Sequence, residues 1–289
     1  MEDSAAIQPT TSLNASDPVG RSTCSSCGGA HSATTMSQAQ ATVVGTITAA
    51  FPSLSVEKEF AQRLGQKDFK GFTDRQTMHA ILTKAEHRYL ARKICFMLTP
   101  YGGGSSPAYI LLPEEPSDLT LLVDTLRRSP NTSEFDVVKG RIVGLAPPAL
   151  CNAQQLPVLA FSQLYSFSAQ TLIESIPQLE KADAKAFVTA ADDAFHRIMR
   201  LASNATGPSR ALAYAALSYA GLYRLVAEKA GENSSLSQVA VNQPQSNPDL
   251  AEVRLKFVRR DTGFSETYCF VVNVGGPFEY LEEPLHPCL

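Results

Sequence analysis

The chain has 289 residues and a net charge of −3, with 25 Lys and Arg against 28 Asp and Glu. This length allows one large domain or two small ones. Charges of both signs are scattered along the chain, whereas a nucleic-acid partner requires clustered Lys and Arg that neutralise phosphates. We therefore expect no nucleic-acid partner.

The sequence also argues against export and membrane insertion. The N-terminus is acidic and polar and lacks the apolar segment of a secretory signal. The uncharged run Ala211–Tyr223 has 13 residues, fewer than the ~20 that span a bilayer, and predicts a buried helix. We expect a cytoplasmic protein with no membrane partner. In that reducing compartment, its six cysteines are expected to be buried, catalytic or metal-bound.

The N-terminal part predicts a tail followed by the start of a domain. Residues 1–41 are rich in Ser, Thr, Ala and Gln with few large apolar side chains, so we expect disorder apart from a CxxC knuckle. A single domain is predicted over residues 42–289. Its first elements are a strand over Thr42–Thr48, a helix over Val56–Leu64 capped by Ser55, and a helix that begins with a capping box at Thr73.

The middle of the chain predicts a central pair of strands. Val137–Leu145 and Leu156–Tyr165 are apolar runs, and the prolines and asparagine between them mark a turn that carries Cys151. Upstream, Lys93–Thr99 fits either a continued helix or a strand, and the turn at Gly102–Gly104 followed by Ala108–Leu112 favours a hairpin. Ser117 is predicted to cap a further helix.

The C-terminal part changes from helical spacing to strand spacing. Helices are predicted over Ser168–Ile176, Asp183–Asn204 and Ser209–Ala230, and strands over Leu236–Val241, Glu252–Arg259 and Thr267–Val274. Because helices and strands do not alternate strictly, the order predicts an α+β fold, with a mixed or antiparallel sheet packed against several helices.

Cys24 and Cys27 form the CxxC half of a zinc site. Two intervening residues let both sulfurs reach one tetrahedral ion. Cys151, Cys288 and His31 are candidates for the remaining ligands, and Cys151 is favoured because it lies in a turn. The sequence thus predicts a structural zinc held by Cys24, Cys27 and Cys151, with the fourth ligand undecided. A redox dithiol and a reduced pair in a flexible tail are the alternatives.

The other cysteines and the histidines have simpler interpretations. Cys95 and Cys269 lie in apolar runs and are predicted to pack in the core. A thiol enzyme would use Cys151 as its nucleophile, with His79 or His196 as the base. No GxSxG or HExxH sequence occurs, so the sequence favours a function without catalysis.

Five sequence blocks, in one order and spacing, resemble a known family. They are FPSLSVEKEFAQ at 51–62, FTDRQTMHAIL at 72–82, EHRYLARKICFMLT at 86–99, APPALCNA at 146–153 and QLYSF at 163–167. Together they resemble the PatG-type C-terminal domain, a domain of unknown function appended to cyanobactin maturation proteases. The chain departs from the family pattern in having TITAAFPSL for an RIEPRFPSL-like entry, and Cys151-Asn152-Ala153 for CNG.

The resemblance implies a role in the biosynthesis of ribosomally made, post-translationally modified peptides. It implies a precursor peptide or a subtilisin-like maturation protease as the partner, but no activity. We therefore expect a non-catalytic accessory or interaction module stabilised by zinc, with a cysteine-dependent peptide-modifying enzyme using Cys151 as the alternative. A homodimer is a further possibility, and the initial methionine suggests a free-standing domain without the protease.

Overall fold

A computed structural model describes residues 39–65, 74–128, 133–176 and 184–288 of the chain. In these ranges the strands are β1 (Gln40–Ala50), β2 (Cys95–Pro100), β3 (Tyr109–Pro113), β4 (Glu134–Leu145), β5 (Pro157–Ser168), β6 (Ser234–Asn242), β7 (Leu250–Arg259), β8 (Ser265–Asn273) and β9 (Tyr280–Pro287). The helices are α1 (Leu54–Leu64), α2 (Asp74–Leu82), α3 (Arg88–Ala91), α4 (Leu119–Thr125), α5 (Ala169–Glu174), α6 (Ala184–Leu201), α7 (Gly207–Ser218) and α8 (Ala220–Gly231). The predicted α+β fold is confirmed.

Strands β1 to β5 form a closed barrel in the order β1-β2-β3-β5-β4. The predicted central pair is present as antiparallel β4 and β5, with Val137 opposite Tyr165. Strands β3 and β5 are parallel, and the chain between β3 and β4 passes through α4. Strand β1 closes the barrel, because it pairs with β4 along its first half and with β2 along its second.

Gly45 is the point at which β1 changes from one neighbour to the other. It is opposite Asp136 of β4 and also opposite Pro100 of β2. A Cβ atom at this position would collide with the carbonyl oxygen of Thr99. The sequence therefore places a residue without a side chain where the two neighbouring backbones approach most closely.

The barrel interior is filled by alternate side chains of its strands. Phe96 and Leu98 of β2, Leu111 of β3, and Leu159 and Phe161 of β5 are buried in one apolar cluster. The helices that follow β1 and β3 contribute Phe60, Ile81, Leu90 and Leu122 to the same cluster. This period of two along each strand explains why the apolar runs could be recognised as strands.

The second half of the fold is an open antiparallel sheet in the order β6-β7-β8-β9. A large apolar cluster joins helices α6, α7 and α8 both to this sheet and to the outside of the barrel. It includes Val44 and Val137 from the barrel, Phe195 from α6, and Val253 and Phe270 from the sheet. The apolar stripe predicted on α6 is thus buried between the barrel and the sheet.

Three local predictions differ from the structure. The predicted helix Ser209–Ala230 is interrupted at Tyr219, whose backbone is not helical and whose hydroxyl accepts a hydrogen bond from Leu285 N at 3.0 Å. Helix α1 is capped by Ser53 rather than Ser55, since Ser53 Oγ accepts from Val56 N at 3.4 Å. Strand β9 was not predicted, because its residues alternate weakly between polar and apolar.

Some predictions concern residues outside the described ranges. Residues 1–38 of the predicted tail, Cys24 and Cys27 among them, and Thr73 of the capping box are outside these ranges, so these remain predictions. The end of the predicted tail is ordered, however, because Gln40 and Ala41 belong to β1. The described residues belong to one compact unit. No helix within the described ranges is long and apolar enough to cross a membrane.

Candidate functional site

The structure places Cys151 in a disulfide bond with Cys95, the first residue of β2. Both residues are buried, and their Cα atoms are 5.3 Å apart. In this state the Cys151 sulfur offers neither the thiolate ligand that the zinc prediction requires nor the nucleophile of a thiol enzyme. Cys95 is buried in the core as predicted, but its bond to a distant cysteine was not predicted.

A second disulfide joins Cys269 of β8 to Cys288. Cys269 is buried as predicted, but it too is bonded, and Cys288 is not a free ligand in the structure. Among the described residues, no group of three or more Asp, Glu, His or Cys is arranged to hold a metal ion. Neither Cys24 nor Cys27 belongs to those residues, so the structure does not test whether this pair binds zinc.

The two histidines proposed as bases for Cys151 have other partners. Nε2 of His79, on α2, lies 3.6 Å from Oδ1 of Asp124 at the end of α4. Nδ1 of His196, on α6, shares a hydrogen bond of 2.7 Å with the Tyr101 hydroxyl. The structure therefore supports no Cys–His pair at Cys151.

His196 lies at one end of a groove between α6 and β6, which we call the α6–β6 groove. One part of it has a volume of about 530 Å³ and is lined by His196, Arg200 and Gln238, among others. A neighbouring part of about 250 Å³ extends toward Arg260. Asp193 and Arg197 line both parts, which makes the groove continuous along the helix.

The spacing of polar residues on α6 explains this surface. Asp193, Arg197 and Arg200 are separated by four and three residues, so they lie on one face of the helix. The opposite face carries the buried Phe195, Ile198 and Met199. The apolar stripe alone predicted this helix, and the polar spacing on its other face is the signal that could have identified the groove.

Strand β6 forms the other wall and is an edge strand of its sheet. Its register against β7 shifts between Leu236 and Gln238, which makes Ser237 a bulge. The carbonyl oxygen of Ser237 accepts a hydrogen bond from Arg197 Nη1 at 3.3 Å. The carbonyl group of Ser237 therefore faces the groove, where the Arg197 side chain contacts it in place of a neighbouring strand.

Two polar contacts fix the imidazole of His196 at the end of the groove. Nδ1 of His196 contacts Tyr101, and its Nε2 lies 3.3 Å from Oδ1 of Asp192, four residues earlier on α6. The neutral tautomer with its proton on Nε2 satisfies both contacts. Tyr101 packs edge-on against Phe135, and Phe135 contacts the buried Phe195, so the hydrogen bonds to His196 are anchored in the core.

The groove carries more positive than negative charge. Arg197, Arg200 and Arg260 are all exposed there, against Asp193 on the lining and Asp192 beside it. The whole chain, in contrast, has a net charge of −3. This local charge favours contact with acidic groups over basic ones.

Comparisons with known proteins find two family models and a similar solved structure. The family described as "PatG Domain" matches residues 42–210, and the one described as "PatG C-terminal" matches residues 181–287. A solved structure titled "PatG Domain of Unknown Function" is similar, with a TM-score of 0.67 and 16% sequence identity over 87% of this chain and 99% of that one. No curated protein matches the chain. Since the first match covers more than half of the sequence, the chain belongs to the PatG domain family.

Proposed function

We propose that this domain is a non-catalytic module that binds an extended peptide in the maturation of cyanobactin-like ribosomal peptides. The observation that carries the proposal is the open edge of β6 beside the positively charged α6–β6 groove. The family membership supplies the cyanobactin context, and the geometry supplies the mode of binding.

An edge strand binds a peptide by adding it as a further strand to the sheet. Main-chain hydrogen bonds then give affinity, and alternate side chains of the peptide enter the groove. The carbonyl of Ser237 already accepts a hydrogen bond from Arg197, a contact that a peptide N–H can replace. Release of the Arg197 guanidinium would then allow it to contact an acidic side chain of the peptide.

The charge of the groove selects one occupant, an acidic peptide segment. Arg197, Arg200 and Arg260 lie along the groove at separate positions, which suits carboxylates at alternate residues of an extended chain. We assign this segment to the precursor peptide. An exposed strand of the maturation protease, or β6 of a second copy of this chain, would use the same edge, and both are outcomes of the test.

The rival function, an enzyme that uses Cys151, has less support. It needs a free thiol beside a base, whereas Cys151 is bonded to Cys95 and both candidate histidines contact other residues. A binding role needs neither group.

The test uses a fluorescein-labelled decapeptide of alternating threonine and glutamate, and its counterpart with lysine in place of glutamate. Fluorescence anisotropy should detect binding of the glutamate peptide and at least ~10-fold weaker binding of the lysine peptide. Arg200→Glu should weaken binding of the glutamate peptide by a similar factor. Arg92→Glu is the matched control, since Arg92 is an exposed arginine after α3 and its reversal changes the net charge equally.

Backbone pairing is tested with two N-methylated forms of the glutamate peptide. Methylation of alternate amides removes the donors along one edge of an extended peptide and leaves the other edge intact. Strand addition predicts that one of the two forms binds and the other does not. Equal binding of both forms, or no effect of Arg200→Glu, would refute the proposal. Sedimentation that shows a dimer lost in Arg200→Glu would assign the edge to a second copy instead.

A further inference from the structure

The loop between β4 and β5 folds back over the outside of the barrel. We call residues 146–156 of this loop the flap. Its Ala146, Leu150 and Leu156 pack on Met97 of β2 and Ile110 of β3, in an apolar cluster separate from the barrel interior. Ala146 N donates to Leu156 O at 2.9 Å and closes the base of the flap.

The surface under the flap is the outer face of β2, β3 and β5. Cys95 and Met97 of β2 lie on it, whereas Phe96 and Leu98, one residue along, point into the barrel. The barrel has five strands, one parallel pair between β3 and β5, and a helix between β3 and β4. In OB-folds, which are five-stranded barrels, the face of β2 and β3 with the flanking loops is the ligand-binding surface. Here this chain's own loop covers the corresponding face.

The flap holds an unfavourable backbone conformation at its tip. Cys151 and Asn152 have φ values of +51° and +57°, in the left-handed region. Asparagine tolerates this region, whereas a cysteine adopts it at a cost. The disulfide to Cys95 joins this strained residue to the first residue of β2. The covalent bond thus holds in place a turn that the backbone itself disfavours.

We propose that the Cys95–Cys151 disulfide is a redox latch that keeps the flap closed over this face of the barrel. A dithiol reductant opens the latch: the bond between the two sulfurs breaks, each cysteine gains one electron and one proton, and the reductant becomes a disulfide. Without the bond, only the small apolar cluster holds the flap closed, and the backbone strain at Cys151 favours opening of the flap. The β2–β3–β5 face then becomes accessible.

Hydrogen–deuterium exchange measured by mass spectrometry tests the latch. In the oxidised protein, the amides of residues 146–156 should exchange slowly, and treatment with dithiothreitol should accelerate their exchange about tenfold or more. Cys151→Ser should show the fast exchange without reductant. Strand β7, which contains no cysteine, reports global stability and should stay protected. Cys288→Ser is the matched control, because it breaks the other disulfide and should leave the flap unchanged.

A second pair of variants separates latch release from unfolding. Cys151→Gly removes the disulfide and also the left-handed strain, so its flap should exchange more slowly than that of Cys151→Ser. Equal flap exchange in wild type and Cys151→Ser would overturn the proposal. Faster exchange in the glycine variant than in the serine variant would also overturn it, as would non-reducing peptide mapping without a Cys95–Cys151 cross-link.

Discussion

Nε of Arg210 donates a hydrogen bond of 2.8 Å to Oε1 of Glu279, and the two side chains are only 4% and 1% exposed. Glu279 also accepts from Thr42 Oγ1 at 2.6 Å and from Lys139 Nζ at 2.9 Å. Since Thr42 and Lys139 belong to barrel strands, one buried carboxylate joins the barrel, helix α7 and the segment before β9. Thr42 and Lys139 lie only in the first family match and Glu279 lies only in the second, so their hydrogen bonds tie the two matched segments together.

Glu279→Gln should strongly destabilise the protein. The amide leaves the buried Arg210 and the partly buried Lys139 without a counter-charge, and breaking a buried ion pair by removing one partner costs about 3–5 kcal/mol. Urea unfolding followed by circular dichroism measures the change in the free energy of unfolding. Glu283→Gln is the control, because Glu283 is exposed on β9 and its change should stay below about 0.5 kcal/mol. A similar small effect in both variants would contradict the structural role of Glu279.

The same carboxylate gives the stability a defined pH dependence. Burial alone would raise the pKa of Glu279, but hydrogen bonds from Thr42 and Lys139 and the charges of Lys139 and Arg210 outweigh burial and hold this pKa below its ordinary value of 4.5. Because the folded pKa lies below the unfolded one, the stabilisation is complete above the unfolded value and is lost as the pH falls through the folded value.

The difference in unfolding free energy between wild type and Glu279→Gln isolates this effect from other acidic groups. We expect the difference to be largest near about pH 7 and to shrink toward about pH 3, as Glu279 becomes protonated in the wild type. Urea titrations at several pH values measure it. A difference that stays constant over this range would mean that folding does not shift the pKa of Glu279, and a difference that grows toward about pH 3 would mean that folding raises it.

Local patterns predicted the elements of this fold better than its long-range contacts. The central pair β4 and β5 could be predicted because two apolar runs flank a proline-containing turn, and the pairing is local. Arg210 directly precedes the uncharged run Ala211–Tyr223, yet it is buried, and its partner Glu279 lies 69 residues away. Nothing near Arg210 in the sequence indicates that carboxylate.

The candidate sites also combine features that local patterns predict with long-range contacts that they do not predict. The sequence predicted Cys151 in a turn, but its partner Cys95 is 56 residues away and was predicted only to pack in the core. The α6–β6 groove depends on the packing of a helix against the edge of a sheet, and such packing is not determined by either element alone. Charge spacing on α6 predicts one wall of the groove, whereas the other wall requires the sheet order.

Gly102→Ala should destabilise the turn between β2 and β3. Gly102 has a φ of +74°, and a Cβ atom there would lie 2.8 Å from Arg200 Cα, on the helix that lines the groove. We expect a loss of about 2 kcal/mol or more from backbone strain and collision together. Gly104→Ala separates the two causes, since Gly104 has a φ of +97° but no atom within 4 Å of the added Cβ, and should cost only about 1 kcal/mol. Equal losses in thermal unfolding would show that the turn does not contact α6.

Zinc content should not depend on Cys151, because its sulfur is bonded to Cys95. Elemental mass spectrometry measures zinc per chain in wild type, Cys24→Ser and Cys151→Ser. Cys95→Ser is the matched control, since it breaks the same disulfide without changing a predicted ligand. If Cys24 and Cys27 hold about one zinc per chain, Cys24→Ser should remove it and both disulfide variants should keep it.

A wild type without zinc would refute the zinc prediction altogether. Loss of zinc in Cys151→Ser but not in Cys95→Ser would establish the site predicted from sequence, and the same sulfur could not then close the latch.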